Sequence, residues 1–367
     1  MIKESYIKLG EFIEQCNERN INEYYGADEL RGINNEGNVM PSKANIIGVS
    51  FHTYKIAHKG YFIYNPARLD IGSISCLQEE VAIFSQMYVI FKIKEECKNT
   101  LLTEYLWMWF KRKEFFRYVA FVNFGSVREM FTYEDMCNVM LPVPPIEEQR
   151  RIVSEYQTVE RRIANNEALI QKLEETAQAI YHHTFVEGID EENLPEGWRK
   201  VSLCDIVQFK VGGDKPNVFS EKKNSLCNIP IYSNGISDEG IYGYTDKATI
   251  IQESITISAR GVNSGVSFLR RKPYMGVVRL VSIIPKDAFF LYYLFYNISS
   301  RKFKGDGSAQ SQITVPQLEN EIILTPPKKL IKTFYIQIKS IHDYIDVLKD
   351  ETNHLRTLLS LLTSKLS

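Results

Sequence analysis

Few side chains in this 367-residue chain stand in a pattern that could make or break a covalent bond. No GxxxxGK followed by Ser or Thr offers a loop of amides and a lysine to the phosphates of a nucleoside triphosphate. No GxGxxG follows a predicted strand, so no dinucleotide cradle is indicated. Asn65-Pro66-Ala67-Arg68 comes nearest to the Asn/Asp-Pro-Pro-aromatic motif with which DNA adenine methyltransferases hold a flipped base, but lacks the second proline and the aromatic. The six histidines (His52, His58, His182, His183, His342, His354) form neither an HExxH pair nor a triad-like set. His182 and His183 are expected to be solvated near a helix end. Asp214-Lys215 has the lysine of a nuclease site without its paired carboxylates. The six cysteines (Cys16, Cys76, Cys97, Cys137, Cys204, Cys227) contain no CxxC, so neither a zinc site nor a disulfide framework is expected. The reading is of a chain that is not an enzyme and takes no cofactor and no metal.

What remains is the chemistry of recognition. Val211-Gly212-Gly213-Asp214-Lys215-Pro216, Ser233-Asn234-Gly235 and the loop Ser258–Gly265 combine small residues with amides and cations. Such loops bring backbone N–H groups to phosphates and offer amide or guanidinium forks to base edges. An ordinary surface turn has the same composition. The candidates for DNA contact are Lys210, Gly212, Gly213, Lys215, Ser233, Asn234, Arg260, Arg270 and Arg271. Two Gly-Ser loops add Ser126 with Arg128, and Ser308 with Gln310 and Gln312; at the matched places the arginine could fork to guanine and the glutamine to adenine. The net charge of −1 conceals an uneven distribution. Residues 1–144 net −2, 145–197 net −7, 198–327 net +5 and 328–367 net +3. The second globular region should make the stronger phosphate contribution.

These loops are carried by a repeat. Gly125, Thr132, Asn138 and Pro144-Pro145 recur 182 residues later as Gly307, Thr314, Asn320 and Pro326-Pro327. Each copy then enters a long breaker-free run, because Pro-Pro cannot continue a strand ladder and favours a helix start. In the first run Ile152, Tyr156, Val159, Ile163, Asn166, Ile170, Leu173, Ala177 and Ile180 alternate in steps of four and three. In the second, Ile338, Ile341, Ile345, Leu348, Thr352, Leu355, Leu359, Leu362 and Leu366 do the same. That is a heptad seam. The helices are expected to pair in one antiparallel intramolecular coil; the alternative is that each pairs with a partner or another copy. The predicted fold is α+β, two tandem pseudo-symmetric α/β modules separated by two long helices. The expected boundaries are 1–143 and 191–325 for the modules, and 144–190 and 326–367 for the helices. Strands are predicted at 46–50, 61–64, 87–91, 254–258 and 276–280. Aromatic helices are predicted at 103–115 and 290–303, their rings sealing a core rather than stacking on bases. The segment 187–197 reads as an exposed linker. No run of about 18 apolar residues occurs and Met1–Ser5 begins no signal sequence, so a cytoplasmic location without membrane contact is expected.

The chain resembles a known family, the specificity subunit of type I restriction–modification systems. Leu141-Pro142-Val143-Pro144-Pro145-Ile146-Glu147-Glu148-Gln149-Arg150-Arg151-Ile152-Val153 matches the family's entry into its first long helix. Leu194-Pro195-Glu196-Gly197-Trp198 looks like its entry into a second recognition domain. Phe51–Tyr61 and the two Gly-Ser loops fit as well. Lys55 and Lys59 in that segment, with Arg68, complete the candidate DNA set. In the second copy Lys329 and Leu330 stand where the first has Glu147 and Glu148, which puts identical docking by both helices in doubt. The resemblance implies two target recognition domains, each reading one block of a bipartite, asymmetric site in double-stranded DNA. The helices would act as spacer and as docking surface for two methyltransferase subunits, which bind S-adenosylmethionine, and a motor–nuclease restriction subunit would join them. Other readings stay open: a specificity subunit for a fused methyltransferase–nuclease polypeptide, a non-DNA coiled-coil scaffold, or a nuclease acting alone.

Overall fold

A computed structural model describes residues 6–42, 48–124, 130–261, 263–301, 303 and 313–364. The first module contains β1 (Tyr6–Lys8), β2 (Ile13–Gln15), β3 (Arg31–Ile33), β4 (Val39–Pro41), β5 (Lys55–His58), β6 (Phe62–Tyr64), β7 (Ile74–Cys76), β8 (Val81–Phe84) and β9 (Val89–Ile93). Helices α1 (Thr103–Phe110), α2 (Lys113–Phe124) and α3 (Tyr133–Asn138), strand β10 (Met140–Pro142) and the long α4 (Ile146–Phe185) follow. Its main sheet has the antiparallel order β2-β9-β6-β7. Strand periodicity explains why β6 is buried on both faces. Phe62 and Tyr64 point into one core with Phe91, Leu106 and Phe110. Ile63 points into another with Ile90, Ala57, Ala82 and Phe84, contributed partly by the β5–β8 pair.

The second module repeats the plan with β11 (Arg199–Ser202), α5 (Leu203–Ile206), β12 (Val207–Val211), β13 (Ile229–Tyr232), β14 (Ile241–Thr245), β15 (Ser254–Ile257), β16 (Ser267–Arg270), β17 (Met275–Gly276) and β18 (Val281–Pro285). It closes with α6 (Leu291–Ser300), α7 (Val315–Glu319), β19 (Ile322–Thr325) and α8 (Lys328–Ser364). The sheet order β12-β18-β15-β16 reproduces that of the first module. Small contacts repeat too. The Tyr105 hydroxyl donates to the Pro142 carbonyl at 3.2 Å, and Tyr293 donates to the matching carbonyl of Leu324. Thr132 with Asp135 and Thr314 with Gln317 form equivalent capping boxes at the starts of α3 and α7. The smaller sheets differ, however: β3–β4 and β5–β8 in one, β14-β13-β17 in the other.

Both long helices begin directly after Pro-Pro. The carbonyl of Pro145 accepts the N–H groups of Glu148 and Gln149, and that of Pro327 those of Leu330 and Ile331. The chain divides into two compact units, Met1–Asn166 with Asp350–Ser367, and Glu167–Lys349. Each therefore holds one stretch of α4 and one of α8. In the first, Arg162 reaches Glu351 (3.0 Å) while Leu359 packs on the core that holds Val153 and Tyr156, so the stretches run antiparallel. In the second, Phe185 meets Phe334 edge-on (4.8 Å between ring centroids) while Tyr296 of α6 bonds His342, further along α8. On the seam Tyr156, Ile338, Ile345 and Leu348 are buried, and Val159, Ile163, Ile170, Leu173, Ile341, Leu355 and Leu359 half-buried. One layer is polar: the buried Asn166 donates to Glu351 (3.0 Å) and approaches the Thr352 hydroxyl (3.4 Å). A buried polar layer fixes register in such pairs.

Four local expectations change. Gly48–Ser50 lie in a turn and loop rather than a strand, with Ile46 and Ile47 outside the described residues. The run 276–280 ends its strand at Gly276 and turns sharply, for a reason given below. The first aromatic helix breaks at Lys111–Arg112, where the Arg112 guanidinium lies over the Trp109 ring (5.3 Å), and resumes as α2. The second runs only from Leu291 to Ser300. The aromatics of α1 and α6 do seal cores: Tyr105, Trp109, Phe110, Tyr293 and Tyr296 are all buried. Residues 187–197 are irregular, with Ile189 and Leu194 tucked against the second core.

Candidate nucleic-acid interface

In the first unit the candidate cations have different fates. Lys55 on β5 donates to the Tyr88 carbonyl at 2.8 Å, and burial, with nearby Arg19, holds its pKa below the usual lysine range. It pins a loop. Lys59 is exposed and pairs with Glu80 (2.8 Å), an interaction weak enough in water for a phosphate to replace. Arg68 is exposed on the turn after β6, where Asn65 holds the backbone by accepting from Ala67 N–H (3.1 Å). Asn65 is buried in this turn, so Asn65-Pro66-Ala67-Arg68 shapes backbone. Ser126 and Arg128 lie outside the described residues.

The second unit gathers more candidates at the β12–β18 end of its sheet. Lys210 donates to the Thr249 carbonyl (2.6 Å) from an exposed position. Gly212 and Gly213, with Met275, Gly276 and Ser282, line a cavity of about 240 Å³. The Lys215 ammonium sits over the Phe219 ring (3.4 Å), also near Tyr242, which orients it by cation–π attraction. Ser233 and Asn234 form the loop after β13, and Arg260 is exposed on the loop after β15.

Two expected phosphate contacts are committed elsewhere. Arg270 is 3% exposed; its guanidinium stacks on Tyr232 (3.5 Å) and bonds Thr256 (3.0 Å) and Glu239. Burial lowers its pKa, as expected for a charge withdrawn from water. Arg271 ties the sheet to α8 through Asp343 and Asp346, with Glu253 close by. Arg270 is withdrawn from solvent, and the half-buried Arg271 is held by carboxylates. Ser308, Gln310 and Gln312 lie outside the described residues.

Two non-glycine turns with positive φ, Asp238–Glu239 and Val278–Arg279, were missed by sequence reasoning. Neither contains glycine or asparagine at the critical positions, and Val277-Val278-Arg279-Leu280 has strand composition, so no local signal marks the second turn. Burial pushes the Cys16 thiol up to about 11 and the Cys76 thiol to about 12, so neither of these two is a ready nucleophile. Among the described residues no group of three His, Cys, Asp or Glu side chains could hold a metal ion. No helix among them is long and apolar enough to cross a membrane.

Comparison with known proteins supplies the context for this surface. The profile described as "Type I restriction modification DNA specificity domain" matches residues 7–175 and again 195–357, once per repeat. A protein of Mycoplasma pneumoniae named as a type I specificity subunit is 28% identical over 208 residues, 56% of this chain and 56% of its own. A second from the same organism is 37% identical over 139 residues, 38% of this chain and 41% of that one. The chain thus aligns with about half the length of these relatives. The crystal structure of a type I restriction–modification S subunit from M. genitalium superposes with a TM-score of 0.62 at 15% identity, covering 99% of this chain and 95% of that one. That likeness is one of fold.

Proposed function

The chain belongs to the type I restriction–modification DNA specificity family, and from that premise we propose that it is the sequence-reading subunit of such a complex. It reads two different short blocks of double-stranded DNA, one per module, and docks methyltransferase and motor–nuclease subunits. Residues 1–143 and 191–325 serve as the reading modules, and 144–190 and 326–367 as helices that space them and carry partners. The catalysis, and the S-adenosylmethionine it consumes, belong to the methyltransferase subunits. The site of action is the cytoplasm. The observation that carries this reading is the doubled module: one sheet order used twice, with different smaller sheets beside it. The shared frame suits two equivalent placements on a duplex, and the different smaller sheets suit two different half-sites. Lys59, Arg68, Lys210, Gly212, Gly213, Lys215, Ser233 and Arg260 form the working DNA set, with Ser126, Arg128, Ser308, Gln310 and Gln312 retained as candidates. Lys55, Asn234, Arg270 and Arg271 leave it, since their polar groups are held within the module.

Co-expression with the methyltransferase and restriction subunits tests the assignment. The three should co-purify, and the complex should retain one DNA sequence in the presence of excess random competitor. A single partner polypeptide carrying both activities would identify the fused arrangement. Co-purification without any sequence preference would reject the DNA-reading function in favour of a scaffold.

A further inference from the structure

Resting on the DNA-reading function proposed above, we propose that Arg279 is a specificity-determining residue of the second module. Its guanidinium reads a base edge, and Asn234 is the residue that positions it. Val277–Leu280 is a tight turn closed by a hydrogen bond from Leu280 N–H to the Val277 carbonyl (3.0 Å). Its central residues, Val278 and Arg279, have φ of 53° and 58°. A β-branched residue rarely adopts the left-handed region, and such backbone persists only where the surroundings over-determine it. Here they do. Val278 N–H donates to the Gly213 carbonyl (2.9 Å), Arg279 N–H to that of Gly212 (3.2 Å), and Gly212 N–H to that of Leu280 (2.8 Å). A Cβ on Gly212 would stand 2.7 Å from the backbone of Gly276 and Val277, so only glycine permits the approach.

Asn234 completes the clamp. Its Nδ2 donates to the Val278 carbonyl (2.6 Å), while its Oδ1 accepts from Ala259 N–H (2.9 Å). One amide thereby fixes the residue immediately before Arg279 and the residue immediately before Arg260. Both arginines are exposed. Among the described residues neither guanidinium has an ion-pair or hydrogen-bond partner, which is also true of Arg199, whereas Arg270, Arg271 and Arg301 of the same unit are ion-paired. A phosphate needs only a nearby charge, which a mobile lysine supplies. Reading a base edge needs a planar fork held at a fixed place and angle. A strained turn clamped by two glycines and an amide fixes the backbone from which Arg279 extends, and a base edge would complete the hold on its unpartnered guanidinium.

The test maps methylated adenines in cells carrying the complex with the wild-type chain, Arg279→Lys, Arg279→Ala or Asn234→Ala. Arg279→Lys keeps the charge and loses the fork. Both Arg279 variants should methylate sites degenerate at one base pair of one half-site, with methylation of the newly accepted sites raised about tenfold over wild type. The other half-site should be unchanged. Asn234→Ala should relax the same position, whereas a merely structural defect would lower methylation everywhere without altering the motif. An unaltered motif in the Arg279 variants, at any methylation level, or no motif at all from Arg279→Lys, would overturn the proposal. Relaxation by Arg279 variants but not by Asn234→Ala would remove Asn234 from it. A wild-type chain that yields no bipartite motif would instead reject the DNA-reading function itself.

Discussion

Gln149 shows how a motif residue can be structural. It is fully buried, accepting from Leu102 N–H (2.9 Å) and donating to the carbonyls of Thr100 (2.7 Å) and Pro144 (2.8 Å). It latches the first turn of α4 to the segment entering α1. In the second copy the matching residue, Ile331, is buried in the core instead, so the latch belongs to the first module alone. Gln149→Ala strands one amide and two carbonyls away from water, and should cost about 3 kcal/mol. Urea unfolding of the chain should show it, and a loss under about 0.5 kcal/mol would mean the latch is not formed. The motif was visible in the sequence, but this role was not, because the three partners lie in other segments. Arg270 and Arg271 teach the same point: cationic composition cannot tell an arginine that faces solvent from one folded against Tyr232 or α8.

Among elements, the long helices were the most legible, because a heptad seam is a local pattern read without knowing the partner. The strand misread at 276–280 failed for the opposite reason: Gly212, Gly213 and Asn234, remote in sequence, impose the turn. The α6–α8 packing carries a titration signature. His342 is buried, its Nε2 in a hydrogen bond with the Tyr296 hydroxyl (2.9 Å) and its ring stacked on Tyr292 (5.0 Å). Burial, then the positive charges of Arg271 and Lys349, lower its pKa to about 4, against an opposing effect of Asp343. The unfolded histidine, at about 6.5, binds its proton first, so stability is intact above pH 6.5 and falls as pH drops toward 4. The gap is worth about 3 kcal/mol. Denaturation midpoints followed from pH 7 to pH 4 should decline less steeply in His342→Asn than in the wild type. Parallel declines would show that His342 does not set the acid response.

At the scale of the molecule, the doubled architecture was readable because the 182-residue offset survives in landmarks such as Pro144-Pro145 and Pro326-Pro327. The smaller sheets, which differ between copies, were not readable. The central claim is that the modules read two half-sites while the helices set the gap between them. Four residues inserted in α4 between Asn166 and Glu167, and four in α8 between Lys349 and Asp350, fall at the division between units and leave each unit's internal contacts intact. Each insertion lengthens its helix by about 6 Å, close to two base-pair steps of about 3.4 Å, and adds a stutter that keeps the apolar face. The decisive measurement is a map of methylated adenines for the wild-type and the doubly extended chain, each with its methyltransferase subunits. The account predicts one asymmetric bipartite motif for the wild type, and for the extended chain the same two half-sites with a gap one or two base pairs wider. A single continuous or palindromic motif, or an unchanged gap in the extended chain, would contradict it.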